Sequence, residues 1–240
     1  MADILEQGDI YFVYRPAEGT AEASSVADVQ RFFMVLKPAG GDRVRNLVIG
    51  HKKLPDAEKP GSRYWGFVER IVDDPVELTE PLGLSRSDRS AGRPAGEGVY
   101  ALVDYGDHTD LVYALELPNE PGTVQEAFHI EKEASYLISV KNPTVGSPEG
   151  VGLEPEGRAQ LPQELLERFG DRRWLPLRPE FLDHDGAEFV LITTGDRIPD
   201  EVEGELHTHD ESEDTADILN DLRIRERRGL IKPLTQGEWR

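Results

Sequence analysis

Short aromatic and β-branched segments that end at a proline constrain the fold of this chain more than any other feature. Residues 11–16 have the sequence YFVYRP, residues 32–38 FFMVLKP, and residues 136–143 YLISVKNP. Aromatic and β-branched side chains favour strands, and proline ends a strand because it cannot donate a hydrogen bond to the ladder. The pattern therefore predicts a chain rich in short β-strands.

Turn signals between these segments predict antiparallel hairpins. Residues 29–51 contain two apolar stretches on either side of a GGD sequence, and residues 99–117 contain two more around a GD sequence. Glycine and aspartate favour tight turns because they accept unusual backbone angles and bond locally. Hairpins are therefore expected to dominate residues 8–141.

The last third of the chain has a different pattern. Residues 161–170 are typical of a short amphipathic helix that ends at a glycine, and residues 211–228 predict a longer helix with an arginine-rich end. We therefore predict an α+β fold: an antiparallel β-hairpin-rich sheet with short helices mainly in the C-terminal third. One compact domain over residues 1–240 is the preferred organisation. The alternative divides the chain into a β-rich domain, 1–145, and a mixed α/β part, 160–240.

The charge of the chain restricts its partners. Asp and Glu number 47 against 27 Lys and Arg, which gives a formal net charge of −20. Such a surface repels phosphates, so binding to nucleic acid or to anionic lipid is disfavoured. Few lysines among many carboxylates also suggest a halophilic-like composition suited to a high-salt cytoplasm. Residues 200–221 hold ten carboxylates and no Lys or Arg, and they are where we expect a basic protein partner or a cation to bind.

The residues that are missing narrow the chemistry and the compartment. The chain has no cysteine, which excludes disulfides, zinc–thiolate sites and thiol nucleophiles. Its first six residues, MADILE, are acidic where a targeting segment is basic and apolar. Its apolar runs are far shorter than the roughly 20 residues of a membrane span. We expect a cytoplasmic protein that does not associate with a membrane.

One histidine cluster predicts a metal site. In an extended segment, residues two apart share a face, so His207 and His209 with Asp210 form a candidate site for a divalent metal. The competing interpretation is a polar loop that precedes the last helix. No other cofactor is predicted.

Two further histidines are candidate catalytic residues. At the turn of the second hairpin, Asp107 or Asp110 would orient His108 as a general base. His184 is also flanked by aspartates, shortly before a predicted strand. If these histidines converge with the metal cluster, they form a metal-assisted hydrolase-like site. The simpler interpretation of both segments is a polar turn, which needs no functional explanation.

A basic and aromatic stretch is the last candidate. Residues 51–53, HKK, lie near Arg43 and Arg45 in the predicted hairpin, and RYW follows at 63–65. Basic residues interleaved with aromatic ones can bind single-stranded nucleic acid. Five basic side chains against the net charge of −20 instead favour a solvated face of the hairpin.

No recognised catalytic or nucleotide-binding motif occurs in the sequence, whether a phosphate-binding glycine loop, a GxSxG elbow, HExxH or an EF-hand loop. The segments GDIYFVYRP, VQRFFMVLKP and GEGVYAL resemble a family of bacterial proteins that has no assigned function, and this resemblance implies no catalytic residues. We therefore predict a non-catalytic binding or interaction module. The alternative is the metal-assisted hydrolase that uses His108, His184, His207 and His209.

Overall fold

A computed structural model describes residues 2–20, 22–41, 43–86, 90–147, 151–206, 208–209, 211–212, 215–224 and 230–239. Within these residues the strands are β1 (Asp3–Pro16), β2 (Val29–Pro38), β3 (Val44–Ile49), β4 (Arg63–Val72), β5 (Arg93–Asp104), β6 (Thr109–Leu117), β7 (Glu133–Lys141), β8 (Trp174–Pro176) and β9 (Glu188–Gly195). The helices are α1 (Thr123–Phe128), α2 (Gln163–Phe169), α3 (Asp200–Glu203), α4 (Asp217–Asp221) and α5 (Lys232–Gln236). Short 3-10 helices lie at Val26–Asp28, Pro75–Leu78, Pro155–Gly157 and Pro179–Asp183.

Eight of these strands close into an antiparallel β-barrel. Their order is β6-β5-β1-β2-β3-β4-β9-β7, and β7 pairs back with β6. β6 pairs with the first part of β7, and the short strand β8 pairs with the last part of β7. Shifts of register interrupt the β1–β5, β3–β4 and β7–β9 pairs. Such bulges increase the local bend and twist that a sheet needs in order to close.

The predicted α+β class is wrong, because the sheet covers its own inner face by closing on itself. The helices near the C-terminus, α3, α4 and α5, have only four or five residues each. The helix predicted over 211–228 is limited to α4 in the described residues, and 225–229 lie outside them. The short helix predicted over residues 161–170 is confirmed as α2, and Gly170 caps its end with φ 51°. Both predicted hairpins are confirmed, as β2–β3 and β5–β6.

Aromatic side chains fill the barrel. Phe12 and Phe32 stack with ring centroids 6.1 Å apart, and Phe32 stacks on Phe128 at 4.8 Å. Tyr113 packs edge-on against Phe12 at 5.3 Å. All of these rings are fully buried. An eight-stranded barrel is just wide enough for side chains to fill, so the interior forms the core and the candidate binding surfaces lie outside.

The C-terminal segment covers one half of the outer surface of the barrel. Side chains of α3 and its neighbours, including Val202, pack on the outer faces of β5 and β6. Farther along, Ile218 and Leu222 pack on Tyr11 and Phe33 of β1 and β2. The outer faces of β4, β9 and β7 lie on the other half of the barrel. They carry a groove.

Candidate functional site

The groove on the outer faces of β4, β9 and β7 has a volume of about 660 Å³. Its apolar floor comes from β9, and its sides carry two indoles and two guanidinium groups. We call this surface the tryptophan groove and define it by Arg63, Trp65, Arg173, Trp174, Val190 and Ile192.

The alternation of β4 and β9 places these side chains together. Tyr64 of β4 and Leu191 of β9 pack with the interior core, so their neighbours in sequence point outward. The ladder pairs Trp65 with Val190 and Arg63 with Ile192. Side chains directly opposite one another in a ladder lie within contact distance. The floor is therefore a continuous apolar strip next to one indole and one guanidinium group.

Trp65 is held in place from beneath. A Cβ atom on Gly50 would lie 2.6 Å from Cε2 of this indole, so only glycine allows the ring to approach the backbone so closely. On its own strand, Phe67 stacks against the ring at 5.8 Å, with 21° between the planes. An aromatic side chain fixed in this way binds a ligand without losing much conformational freedom.

Trp174 forms the opposite side and is exposed. The ladder pairs it with Lys141 at the end of β7. Its exposed fraction is 39%, and nearby Val151 is 44% exposed. Most large apolar side chains of the described residues are covered, so this pair is an exception. Exposed apolar surface in a concave site is typical of a binding site.

The groove is cationic, although the protein as a whole is acidic. Its described lining has three cationic side chains, Arg63, Lys141 and Arg173, against the single carboxylate of Glu188. Both arginines are exposed. Neither has a carboxylate within 4 Å in the described part of the chain. Arg173 instead donates to the carbonyl oxygen of Gly146. Two guanidinium groups therefore remain available to an anion.

Lys141 and Glu188 form a buried ion pair behind this surface. Nζ of Lys141 lies 2.6 Å from Oε2 of Glu188, and both side chains are almost fully buried. Oε1 of Glu188 accepts a hydrogen bond of 2.9 Å from the backbone N–H of Leu153, and Arg158 Nε lies 4.0 Å from Oε2. The pair therefore fastens the segment that follows residue 151 to the barrel.

The structure brings together the candidate residues of the second hairpin. His108 Nδ1 lies 2.6 Å from an oxygen of Asp107, and Nε2 lies 3.8 Å from Oδ1 of Asp110. Burial raises the pKa of Asp110, whose other oxygen accepts a hydrogen bond from Ser135. The hydrogen bond with His108 lowers the pKa of Asp107. The imidazole also stacks on Tyr105 at 4.9 Å. The role of His108 as a base remains a prediction.

His184 lies in a different groove, of about 810 Å³. Some of the charged groups around it are already paired, whereas the carboxylate of Asp185 accepts a hydrogen bond from the backbone N–H of Ile71. Arg31 pairs with Glu69, and the adjacent Asp183 accepts a hydrogen bond from Arg45. The structure therefore separates His184 from the His108 cluster.

The predicted metal cluster cannot be placed as a unit, because His207 and Asp210 lie outside the described residues. His209 is described, and its backbone N–H donates to the carboxylate of Glu116. Among the described residues, no group of three or more His, Asp or Glu side chains is arranged to hold a metal ion. The metal site remains a prediction.

One carboxylate of the acidic segment, residues 200–221, contacts the barrel. Asp221 lies 2.7 Å from Nζ of Lys37 and accepts a hydrogen bond of 2.6 Å from the Tyr11 hydroxyl. A basic partner for residues 200–221 therefore remains a prediction and would compete with these contacts.

The basic and aromatic stretch recognised in the sequence forms one side of the tryptophan groove. His51, Arg63 and Trp65 belong to the basic and aromatic stretch recognised in the sequence, and all three line the groove. Arg45 does not, because it is buried and pairs with Glu6 at 2.6 Å. The residues at 173–174, an arginine and a tryptophan, were missed. Their only sequence signal is that an indole directly follows two arginines.

The chain matches no protein-family model, no curated protein and no solved structure. This result is consistent with the resemblance to a family that has no assigned function. None of the helices in the described residues is both long enough and apolar enough to cross a bilayer.

Proposed function

We propose that this protein is a non-catalytic binding module and that the tryptophan groove holds its ligand. One observation carries the proposal. An apolar strand floor, two indoles and two guanidinium groups that have no carboxylate within 4 Å among the described residues meet on the side of the barrel opposite the C-terminal segment. Its volume of about 660 Å³ is in the range of small-molecule sites.

The groups of the groove favour binding over catalysis. Glu188, the carboxylate of the described lining, is occupied by Lys141 and by the N–H of Leu153. His51 stacks on Tyr64 with ring centroids 4.3 Å apart. A general base must reach the proton it removes, and a carboxylate already paired on both oxygens is poorly placed for that role. The remaining side chains supply contact area and charge.

Tryptophan NMR signals provide a direct test. The chain has three tryptophans. Two line the groove, and Trp239 packs instead against Tyr14 and Phe128 at one end of the barrel. We expect indole or naphthoate, added to labelled protein, to shift the side-chain N–H signals of Trp65 and Trp174 and to leave that of Trp239 in place. Single Trp→Phe variants assign the signals.

A pair of matched variants checks that the effect is local. Trp174→Ala is expected to abolish the shift of the Trp65 signal, because the ligand loses one side of its site. Ile4→Ala is the control, since Ile4 is 37% exposed and Trp174 is 39% exposed. Ile4 lies on β1, outside the groove. The proposal is wrong if neither probe shifts the groove signals, or if Trp174→Ala binds as the parent does.

A further inference from the structure

We infer that the tryptophan groove selects a small planar aromatic anion, such as an aryl carboxylate or an aryl phosphate. This inference rests on the proposed function, because it names the ligand of the same groove. The shape of the site, the position of its charges and the charge of the rest of the protein all favour such a ligand.

The shape of the groove favours a flat ring. Trp65 is fixed above Gly50 and beside Phe67, so its indole is a rigid platform. Val190 lies directly opposite it in the ladder, and Trp174 adds a second, exposed indole. Aromatic rings gain from stacking on such faces in addition to the apolar area that they bury.

The positions of the cations favour an anionic substituent on that ring. Arg63 and Trp65 are two residues apart on one strand and share its outer face, so about 7 Å of strand separates them. That distance matches a ring with one attached acidic group. Lys141 is occupied by Glu188, which leaves recognition of the anion to Arg63 and Arg173. Guanidinium groups bind carboxylate and phosphate oxygens through paired hydrogen bonds.

The net charge of −20 limits the size of the anion. At physiological ionic strength, charges are screened over about 8 Å. An anion that stays within the groove is close to both arginines, whereas a long polyanion extends onto the acidic surface and is repelled. The same aromatic and cationic groups that can bind single-stranded nucleic acid therefore fit a small molecule better here.

The test compares ligands that share one ring system. Naphthoate and naphthyl phosphate carry the two anionic groups, naphthamide is the neutral counterpart, and an oligothymidylate is the polyanion. The shifts of the two groove indole signals give each Kd. We expect at least one naphthyl anion to bind about tenfold more tightly than naphthamide, as a charge-assisted hydrogen bond provides. The tighter of the two anions identifies the acidic group.

Arginine variants show whether the preference arises in the groove. Arg63→Gln and Arg173→Gln are each expected to reduce the preference for the anion over naphthamide by at least about threefold, and together to remove it. Arg70→Gln is the matched control, because Arg70 is exposed on the same strand but is not part of the groove lining. The control is expected to keep the full preference.

Equal Kd values for naphthoate, naphthyl phosphate and naphthamide, with the groove signals shifted, would overturn this inference and leave the proposed function standing. Tighter binding of the oligothymidylate than of both small anions would overturn it in favour of nucleic acid. If no ligand shifts the groove signals, the proposed function itself fails. An unchanged preference in the double arginine variant would place anion recognition elsewhere and contradict the inference.

Discussion

Replacing Glu97 by glutamine is expected to remove a loss of stability that the protein undergoes as the pH rises. Glu97 lies on β5 and is 1% exposed. Its carboxylate accepts hydrogen bonds from the backbone N–H groups of Asp217, at 2.7 Å, and Ile218, at 3.2 Å, where α4 begins. Burial, with smaller contributions from the charges of Asp217 and Glu211, raises the pKa of Glu97 to about 8, although these N–H groups partly oppose the rise.

The size of the effect follows from this pKa. Because it is higher in the folded protein than in the unfolded chain, the stabilising contribution is complete below the unfolded value, 4.5, and is lost as the pH rises through about 8. A rise from 4.5 to about 8 corresponds to at most about 5 kcal/mol of unfolding free energy above the upper value. Glutamine keeps the shape of the side chain without becoming charged. Its single amide oxygen accepts one of the two N–H groups, which separate oxygens of Glu97 accept in the parent.

Urea unfolding, followed by circular dichroism from about pH 4.5 to about pH 9, measures this difference. We expect Glu97→Gln to be about 1–3 kcal/mol less stable than the parent at the acidic end, because one N–H loses its acceptor. This difference should shift in favour of the variant by up to about 5 kcal/mol toward the alkaline end. The exposed Glu120→Gln variant is the control for the substitution itself. A difference between parent and Glu97→Gln that is constant with pH would refute the reasoning.

The glycine beneath Trp65, the buried ion pair, the acidity and the histidine cluster can each be tested. Gly50→Ala should displace the groove indole that lies 2.6 Å from the new Cβ, lower the stability by about 1–3 kcal/mol in urea unfolding, and weaken naphthoate binding. Lys141→Met should cost about 3–5 kcal/mol because it leaves a buried carboxylate unpaired, and a Lys141→Met/Glu188→Leu double variant should recover most of that loss. The melting temperature should climb steeply from low to molar KCl if the acidity reflects a high-salt cytoplasm. If the metal prediction holds, purified protein should contain stoichiometric metal that a His207→Ala/His209→Ala variant lacks.

Each of these four predictions has an outcome that would contradict it. An unchanged urea midpoint in Gly50→Ala would show that the indole is not constrained by the glycine. A double variant no more stable than Lys141→Met would mean that the buried charge is not the cause of the loss. A flat or falling response to KCl would remove the high-salt explanation. Metal-free protein with no metal-induced change in melting temperature would exclude the metal site.

The sequence by itself determined the local structure. The segments YFVYRP and FFMVLKP form strands because their side chains favour strands and proline ends them. The contact between His108 and Asp107 was also predictable, because the two residues are adjacent in one short turn. The acidity and its concentration in residues 200–221 also required no structure.

Only the tertiary structure decided the fold class and the groove. The pairing of β6 with β7 closes the barrel, and the pairing of β4 with β9 joins segments more than 110 residues apart. Which distant strands pair depends on the summed burial of both faces and on the geometry of closure, and no short window of sequence records those quantities. Arg63 and Trp65 therefore looked like a solvated hairpin face in the sequence. They became one side of a binding groove when β9 supplied the floor and Trp174 the other side.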